Sequence, residues 1–314
     1  MSTRIKKEKL KSPLPMRDGV SASRVWLPRN EAKAWVSLLD FLTERFPLIS
    51  RQVLQDRMLR GEIMAETGKP FNVDAPYQGE AFLFYYREIP NEPIIPFEEE
   101  ILFKDDNIIV VDKPHFLPVT PGGRFVKETL LTRLKVFYNN EDISPMHRLD
   151  RETAGVMLFT CNKEVRGAYQ SLFQQRKVQK TYHAIAGFTP DLTFPLTHKS
   201  CIKKSQEHFF TMQEVDAEPN SETEIKIIQQ KGPLVLYELK PITGRQHQLR
   251  VHMMSLGIPL LNDPFYPKVL ADKGHDYDAP LQLLAKEITL MDPLTDKMRS
   301  FESKRSLHFK HCFS

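Results

Sequence analysis

Cysteine and glycine are both scarce here, at three and 13 of 314 residues. Cys161, Cys201 and Cys312 are odd in number and far apart, which excludes a disulfide framework and a Cys-x-x-Cys metal site and suits a reducing, cytoplasmic setting. No run approaches the ~20 apolar residues that a membrane span requires. The polar, basic opening residues also lack the apolar stretch of a secretory signal. Nor do the glycines form a nucleotide-binding pattern: no Lys-Ser/Thr pair follows Thr120-Pro121-Gly122-Gly123, which reads as a turn. His247 and His252 stand five apart, off a shared helical face, and His308 and His311 beside Cys312 sit at the chain end. No metal or cofactor is therefore expected.

What is present is the apolar material of an ordinary folded protein, 41% hydrophobic residues, enough for one large domain and a small one. Arg4, Lys6, Lys7, Lys9 and Lys11 face a single acid, Glu8, in the opening segment, an excess equal to the whole net charge of +4. A basic arm on a balanced body suits a polyanion, because each phosphate neutralised releases counterions.

Residues 1–25 are basic, rich in Ser and Pro and without periodicity, and are expected to be disordered or to fold only on a partner. A small domain follows over 26–90. Trp35, Leu38, Leu39, Leu42 and Phe46 repeat at helical spacing within Glu31 to Phe46. A second helix is expected from a Ser50 cap, with Val53, Leu54 and Met58 inward and Arg51, Arg57 and Arg60 outward. Short strands are expected at 62–65 and 81–86. Prolines 90, 93 and 96 mark a stiff linker over 91–97, and residues 98–314 mix strands and helices without βαβ alternation. In that region Ile108 to Val111 reads as a buried strand and Asn162 as the cap of a helix. The outer face of that helix, including Arg166, Gln170 and Arg176, could meet phosphate. Lys180 to Ala186 and Leu234 to Ile242 read as strands. Thr243 and Gln246 have capping-box spacing for a helix beginning near Gly244-Arg245, with Leu249, Met253 and Leu256 buried and Gly257 as its stop.

The densest chemistry lies in His147-Arg148-Leu149-Asp150-Arg151-Glu152-Thr153-Ala154-Gly155, which sets a carboxylate between two arginines ahead of an apolar strand. Exposed ion pairs add only ~0–1 kcal/mol, and burying them costs desolvation. A carboxylate kept ionised by flanking cations is more useful as a nucleophile or base.

His147-Arg148-Leu149-Asp150, Lys180-Thr181-Tyr182 and Pro241-Ile242-Thr243-Gly244-Arg245-Gln246-His247-Gln248-Leu249-Arg250-Val251-His252-Met253 resemble, in order and spacing, three signature segments of the RluA-type pseudouridine synthases. Ile108 to Pro114 resembles that family's opening segment, and the likeness spans roughly residues 98 to 300. Ala154 departs from the usual Ser, but a small residue still fits the turn. The resemblance implies an α+β fold: a bent, mixed but mostly antiparallel sheet with flanking helices and a cleft across it. It also implies isomerisation of uridine in RNA without cofactor or metal. Asp150 would then be the catalytic carboxylate, whether by attacking the sugar or by another route that frees the base. Tyr182 would stack on the extruded uracil, returning ~1–3 kcal/mol of the flipping cost. Arg250 would pair with Asp150, and Arg148 would fill the gap left by the flipped base. Leu249, Lys180 and Gly155 would shape the pocket, with His147 and Arg245 also facing substrate. The 26–90 region resembles a small S-four-like RNA-binding fold through Ser50-Arg51, Gly61-Glu62-Ile63 and Gly68-Lys69, and its Arg51, Arg57 and Arg60, with Lys6 and Lys7 of the basic arm, would be the RNA contacts.

Ribosomal RNA is the expected substrate and transfer RNA the alternative, with the protein acting as a monomer. A non-catalytic RNA-binding protein would have lost Asp150, Tyr182 or Arg250, and all three are present. A glycoside hydrolase would need paired carboxylates, which Asp150 and Glu152 could supply, but the arginine-rich segments argue against a neutral sugar. A purely structural ribosomal protein has no need of a stacking tyrosine beside a charged Asp.

Overall fold

The computed structural model describes residues 12–30, 34–89, 91–271, 277–307 and 309, and the chain divides into two units, Met1–Glu92 and Pro93–Ser314. The first unit holds β1 (Ser23–Leu27), α1 (Leu38–Arg45), α2 (Arg51–Leu59), β2 (Ile63–Ala65) and β3 (Ala81–Tyr85), with an antiparallel sheet in the order β1-β3-β2. Leu38 and Leu42 of α1, Leu54 and Met58 of α2, and Leu83 of β3 form its core.

Several expectations need correction here. Residues 12–25, assigned above to a disordered arm, are folded: β1 pairs with β3, Leu14 packs on Phe84 and Tyr86, and Arg17 pairs with Glu62. Lys6 and Lys7 lie outside the described residues. The first helix starts at Leu38, not Glu31, because Ser37 and Asp40 close a reciprocal capping box there. In α2 Ser50 is the cap, but Val53 is exposed while Arg57 is buried and paired with Glu88. Arg57 therefore offers no outward charge, and Arg51 and Arg60 are themselves paired with Asp40 and Glu62.

The second unit runs β4 (Glu100–Lys104), β5 (Ile108–Lys113), α3 (Leu130–Phe137), β6 (Ser144–Pro145), β7 (Ala154–Thr160), α4 (Arg166–Gln174), β8 (Val178–Gly187), β9 (Leu196–Lys204), β10 (Met212–Val215), β11 (Ser221–Lys231), β12 (Leu234–Pro241), α5 (Gln248–Ser255), β13 (Leu283–Met291) and β14 (Met298–Glu302). These strands form one eleven-stranded sheet in the order β10-β9-β11-β12-β8-β13-β7-β5-β4, with β14 on β13 and β6 on β7. Every pairing is antiparallel except β7 with β13. β5 and β7 are buried along their whole length because both faces are covered. Ile109, Val111, Met157 and Phe159 pack with Leu130 and Leu134 of α3, and Ile108, Val110, Val156 and Leu158 with Tyr169 and Leu172 of α4. Ile95, expected in the linker, is buried in the first of these clusters.

The one parallel contact explains Gly155. Its φ is +111°, and a Cβ there would stand 2.2 Å from the Ala285 carbonyl oxygen. Gly155 lets β7 and β13 meet backbone to backbone, in place of the pocket-shaping part expected of it. Asn162 is also used differently: it accepts from Glu164 N–H in the turn before α4, which begins after Val165 without a side-chain cap.

Candidate active site

The sheet order brings three distant segments together. β8 lies between β12 and β13, and β13 meets β7, whose preceding loop carries Asp150. A cavity of about 600 Å³ opens among the His147–Asp150 loop, the end of α4, Lys180 and Tyr182 of β8, and the Pro241–Arg250 segment. Asp150, Tyr182, Arg250, Arg148, His147, Leu249, Lys180 and Arg245 all line it. Arg148, Arg176 and Arg245 are exposed on its rim. Arg166 is not among them, since its guanidinium donates to the Asp142 carbonyl.

α5 starts later than its sequence suggests. His247 takes a left-handed φ of 54°, and the helix begins at Gln248 with no side-chain cap. Thr243 and Gln246 form no capping box. Instead Gln248 Oε1 accepts from Thr243 Oγ1 and Arg245 N–H, while its Nε2 donates to Glu222 O and Thr223 Oγ1. With all four hydrogen bonds made, the amide can be buried at little cost and ties α5 to β11. The helix is buried on every face from Gln248 to Met253, and the Arg250 side chain is fully buried with it.

Arg250 is held chiefly by a residue the sequence reading missed. Its Nε and Nη2 donate to Asp263 at 2.8 and 2.6 Å, a bidentate pair with both side chains at 0% exposure. Asp263 also accepts from Phe265 N–H and Tyr266 N–H, and the rings of Phe265 and Tyr266 cover the guanidinium. Only Nη1 is left for Asp150, at 3.4 Å, with Glu152 at 3.7 Å. Burial alone would lower the Arg250 pKa, but Asp263, then Asp150 and Glu152, raise it above its ordinary value.

Asp150 keeps 18% of its side chain exposed, toward the cavity. Burial pushes its carboxyl up, but His247, Arg250 and Arg148 outweigh it and hold the pKa below the usual carboxylate range. His247 Nε2 stands 3.8 Å from the carboxylate, and its Nδ1 meets Tyr266 Oη at 2.9 Å. Tyr266 Oη already accepts from Met212 N–H, so its own proton is free to go to Nδ1. That leaves Nε2–H pointing at Asp150. Burial lowers the His247 pKa, so at neutral pH the ring stands beside Asp150 uncharged and helps hold the carboxyl down only when protonated, and the arginines are the permanent cations. Burial and the nearby Asp150 charge together raise the Tyr182 pKa, keeping its ring neutral.

The family model for RNA pseudouridylate synthase matches residues 107–255. A dual-specificity RNA pseudouridine synthase RluA of Haemophilus ducreyi is 30% identical over 68% of this chain and 95% of its own. The chain belongs to the RNA pseudouridine synthase family. A ribosomal large subunit pseudouridine synthase C of Rickettsia prowazekii is 27% identical over 86% of this chain and 93% of its own. The solved human RNA pseudouridylate synthase domain containing 1 shares the fold, with a TM-score of 0.57 at 24% identity over 70% of this chain and 89% of its own. The protein is thus an isomerase of uridine in RNA.

Around this synthase's cavity, other residues the sequence reading passed over hold the Asp150 loop. Lys113 is fully buried and donates to the carbonyls of Pro114, Leu117 and Arg151. Burial drives its pKa down to about 7 against the pull of Glu152 and Asp150. His115 Nδ1–H donates to the Glu152 carbonyl, and Glu152 pairs with Arg151. His147 accepts from Leu158 N–H and stacks on Phe173, so it fastens the loop to β7 as well as lining the cavity. The Lys-Pro at the end of β5 was the one visible signal; nothing marked Asp263, thirteen residues after Arg250. His252 does not face His247. It meets Thr223, Ser200 and Ser221, and its ring lies beside His198, which pairs with Glu214. Ligand-type atoms of His198, Glu214 and His252 fall within 4.8 Å of one another, a group that could hold a cation and that sequence spacing did not reveal.

Proposed function

We propose that this synthase modifies uridine in ribosomal RNA, with Asp150 as its catalytic carboxylate. The observation that carries the proposal is the Asp150 carboxylate itself, ionised, facing a cavity large enough for a nucleotide and backed by a buried arginine. A uridine flipped into that cavity would find the Tyr182 ring as a stacking face and Leu249 as an apolar wall. The ionised Asp150 promotes cleavage of the glycosidic bond, the uracil turns in the pocket, and its C5 joins the ribose, giving up its proton while the freed N1 takes one up. Arg250 keeps Asp150 charged and in place. Arg148, exposed on the rim, fills the space the base leaves in the RNA.

Ribosomal RNA is favoured because a relative spanning most of the chain is named for the large ribosomal subunit. The first unit adds two helices followed by two strands and serves, with the basic arm, as an S-four-like RNA-binding part. The enzyme is proposed to act as a monomer, with one chain supplying Asp150, Tyr182 and Arg250 to the same cavity. It works in the cytoplasm beside its RNA; no helix among the described residues is long and apolar enough to cross a membrane.

The test is pseudouridine mapping at single-nucleotide resolution in total RNA from cells with and without the gene. Loss of one or a few ribosomal positions is expected. Loss confined to transfer RNA would replace the substrate, and persistence of every site would contradict the proposal.

A further inference from the structure

β9 and β10 form a hairpin whose turn is closed by Thr211 N–H on His208 O and by Ser205 N–H on Thr211 O. The turn carries three consecutive rings: His208, Phe209 and Phe210. Phe209 is 87% exposed at its tip. A lone exposed Phe needs no explanation, but this ring ends a ladder. Phe209 stands 5.3 Å from Phe210, Phe210 5.2 Å from Phe265, and Phe265 stacks on His247 at 5.9 Å. His247 faces Asp150. A hydrogen-bonded path runs alongside, because Met212 N–H at the foot of the hairpin donates to Tyr266 Oη, which also holds His247 Nδ1. The hairpin is therefore built onto the active site, and its outermost ring stands exposed. Lys203 and Lys204 are exposed on the same hairpin, against one exposed acid, Glu207.

We propose that Phe209 stacks on an unpaired nucleobase of the RNA beside the flipped uridine. Flipping one base out of a strand strips its neighbours of a stacking partner, and an exposed ring joined to the cavity wall through Phe210, Phe265 and His247 supplies one whatever the base. The two lysines suit the phosphates on either side of that base. The inference rests on RNA as substrate and goes beyond it by naming where the strand leaves the cavity: across the β9–β10 turn.

The experiment compares wild type, Phe209→Ala and Phe209→Trp on a short single-stranded RNA with one central uridine, measuring Kd by titration and then kcat and KM for pseudouridine formation. Phe209→Ala should raise Kd and KM roughly tenfold, the weight of one lost base stack, with kcat and Tm unchanged. Phe209→Trp should restore affinity, and RNA should quench the added indole fluorescence. Equal affinity in wild type and Phe209→Ala, or a fall in kcat with KM unchanged, would overturn the proposal. A wild type that neither binds nor converts any RNA would instead remove the reading it rests on.

Discussion

Two arginines in the second unit sit in nearly the same setting and do different things. Arg299 lies between Asp105 and Asp292, paired with them at 3.0 and 2.9 Å with the Phe103 ring over its guanidinium. Arg250 lies between Asp263 and Asp150 under Phe265 and Tyr266. Around Arg299 both carboxylates are fully used: Asp105 also accepts from Asn107 and Ile108 N–H, and Asp292 from Leu294 N–H, Thr295 N–H and Tyr169 Oη–H. Around Arg250 only Asp263 is so used. Among the described residues, the Asp150 carboxylate is given one hydrogen bond, and that one is long, at 3.4 Å. A charge cluster becomes a reactive site when one of its carboxylates is kept ionised yet left short of partners, with a cavity in front of it.

Removing each cation gives the largest contrast. Arg250→Met strands the buried Asp263 and leaves Asp150 without its cation, so it should cost ~3–5 kcal/mol of stability and abolish turnover. Arg299 is 25% exposed, so Arg299→Met should cost less and leave kcat intact at a temperature where the variant is folded. Denaturant midpoints alongside kcat check both, and equal catalytic loss in the two would erase the distinction.

The carboxylate partners sharpen it. Asp263→Asn and Asp292→Asn each weaken one charge-assisted pair, at about 1–3 kcal/mol. Only the first should lower kcat, because only Asp263 aims Arg250 at Asp150. Intact kcat in folded Asp263→Asn would mean that the helix alone positions Arg250.

Acid acts through buried histidines in place of the arginine pairs. Burial lowers the pKa values of His115 and His252 to about 4 and of His147 to about 3. In the unfolded chain each takes up a proton near 6.5, so between about pH 6.5 and 4 unfolding binds protons that the folded state refuses. Stability is therefore full above about pH 6.5 and falls below it, by up to about 1.4 kcal/mol per pH unit for each histidine. These histidines hold the Asp150 loop and α5, so hydrogen exchange at pH 5 should quicken in α5 before β14. The reverse order would separate these histidines from the Arg250 side.

Contiguous patterns were the legible part. The strands at 108–113, 178–187 and 234–241, and the grouping of Asp150, Tyr182 and Arg250 about one cavity, followed from alternation and from three short segments. Features that depended on a distant partner were not legible. Arg57 looked like a surface charge because Glu88, its counterion, is 31 residues away. Thr243 and Gln246 mimicked a capping box because nothing local told that Gln248 would reach back to Thr243 and across to β11. Asp263 carries no local signal, and only the fold sets it against Arg250. Gly155 was flagged correctly as special, but for a pocket, because the parallel approach of Ala285 is a tertiary fact.

The most direct test of the central claim is single-turnover pseudouridine formation on unmodified ribosomal RNA by wild type and Asp150→Asn, with RNA affinity measured in parallel. The isosteric amide removes the charge and little else, so turnover should fall by at least about a hundredfold while affinity and Tm stay near wild type. Turnover within about tenfold of wild type would contradict the account and move the catalytic charge away from Asp150.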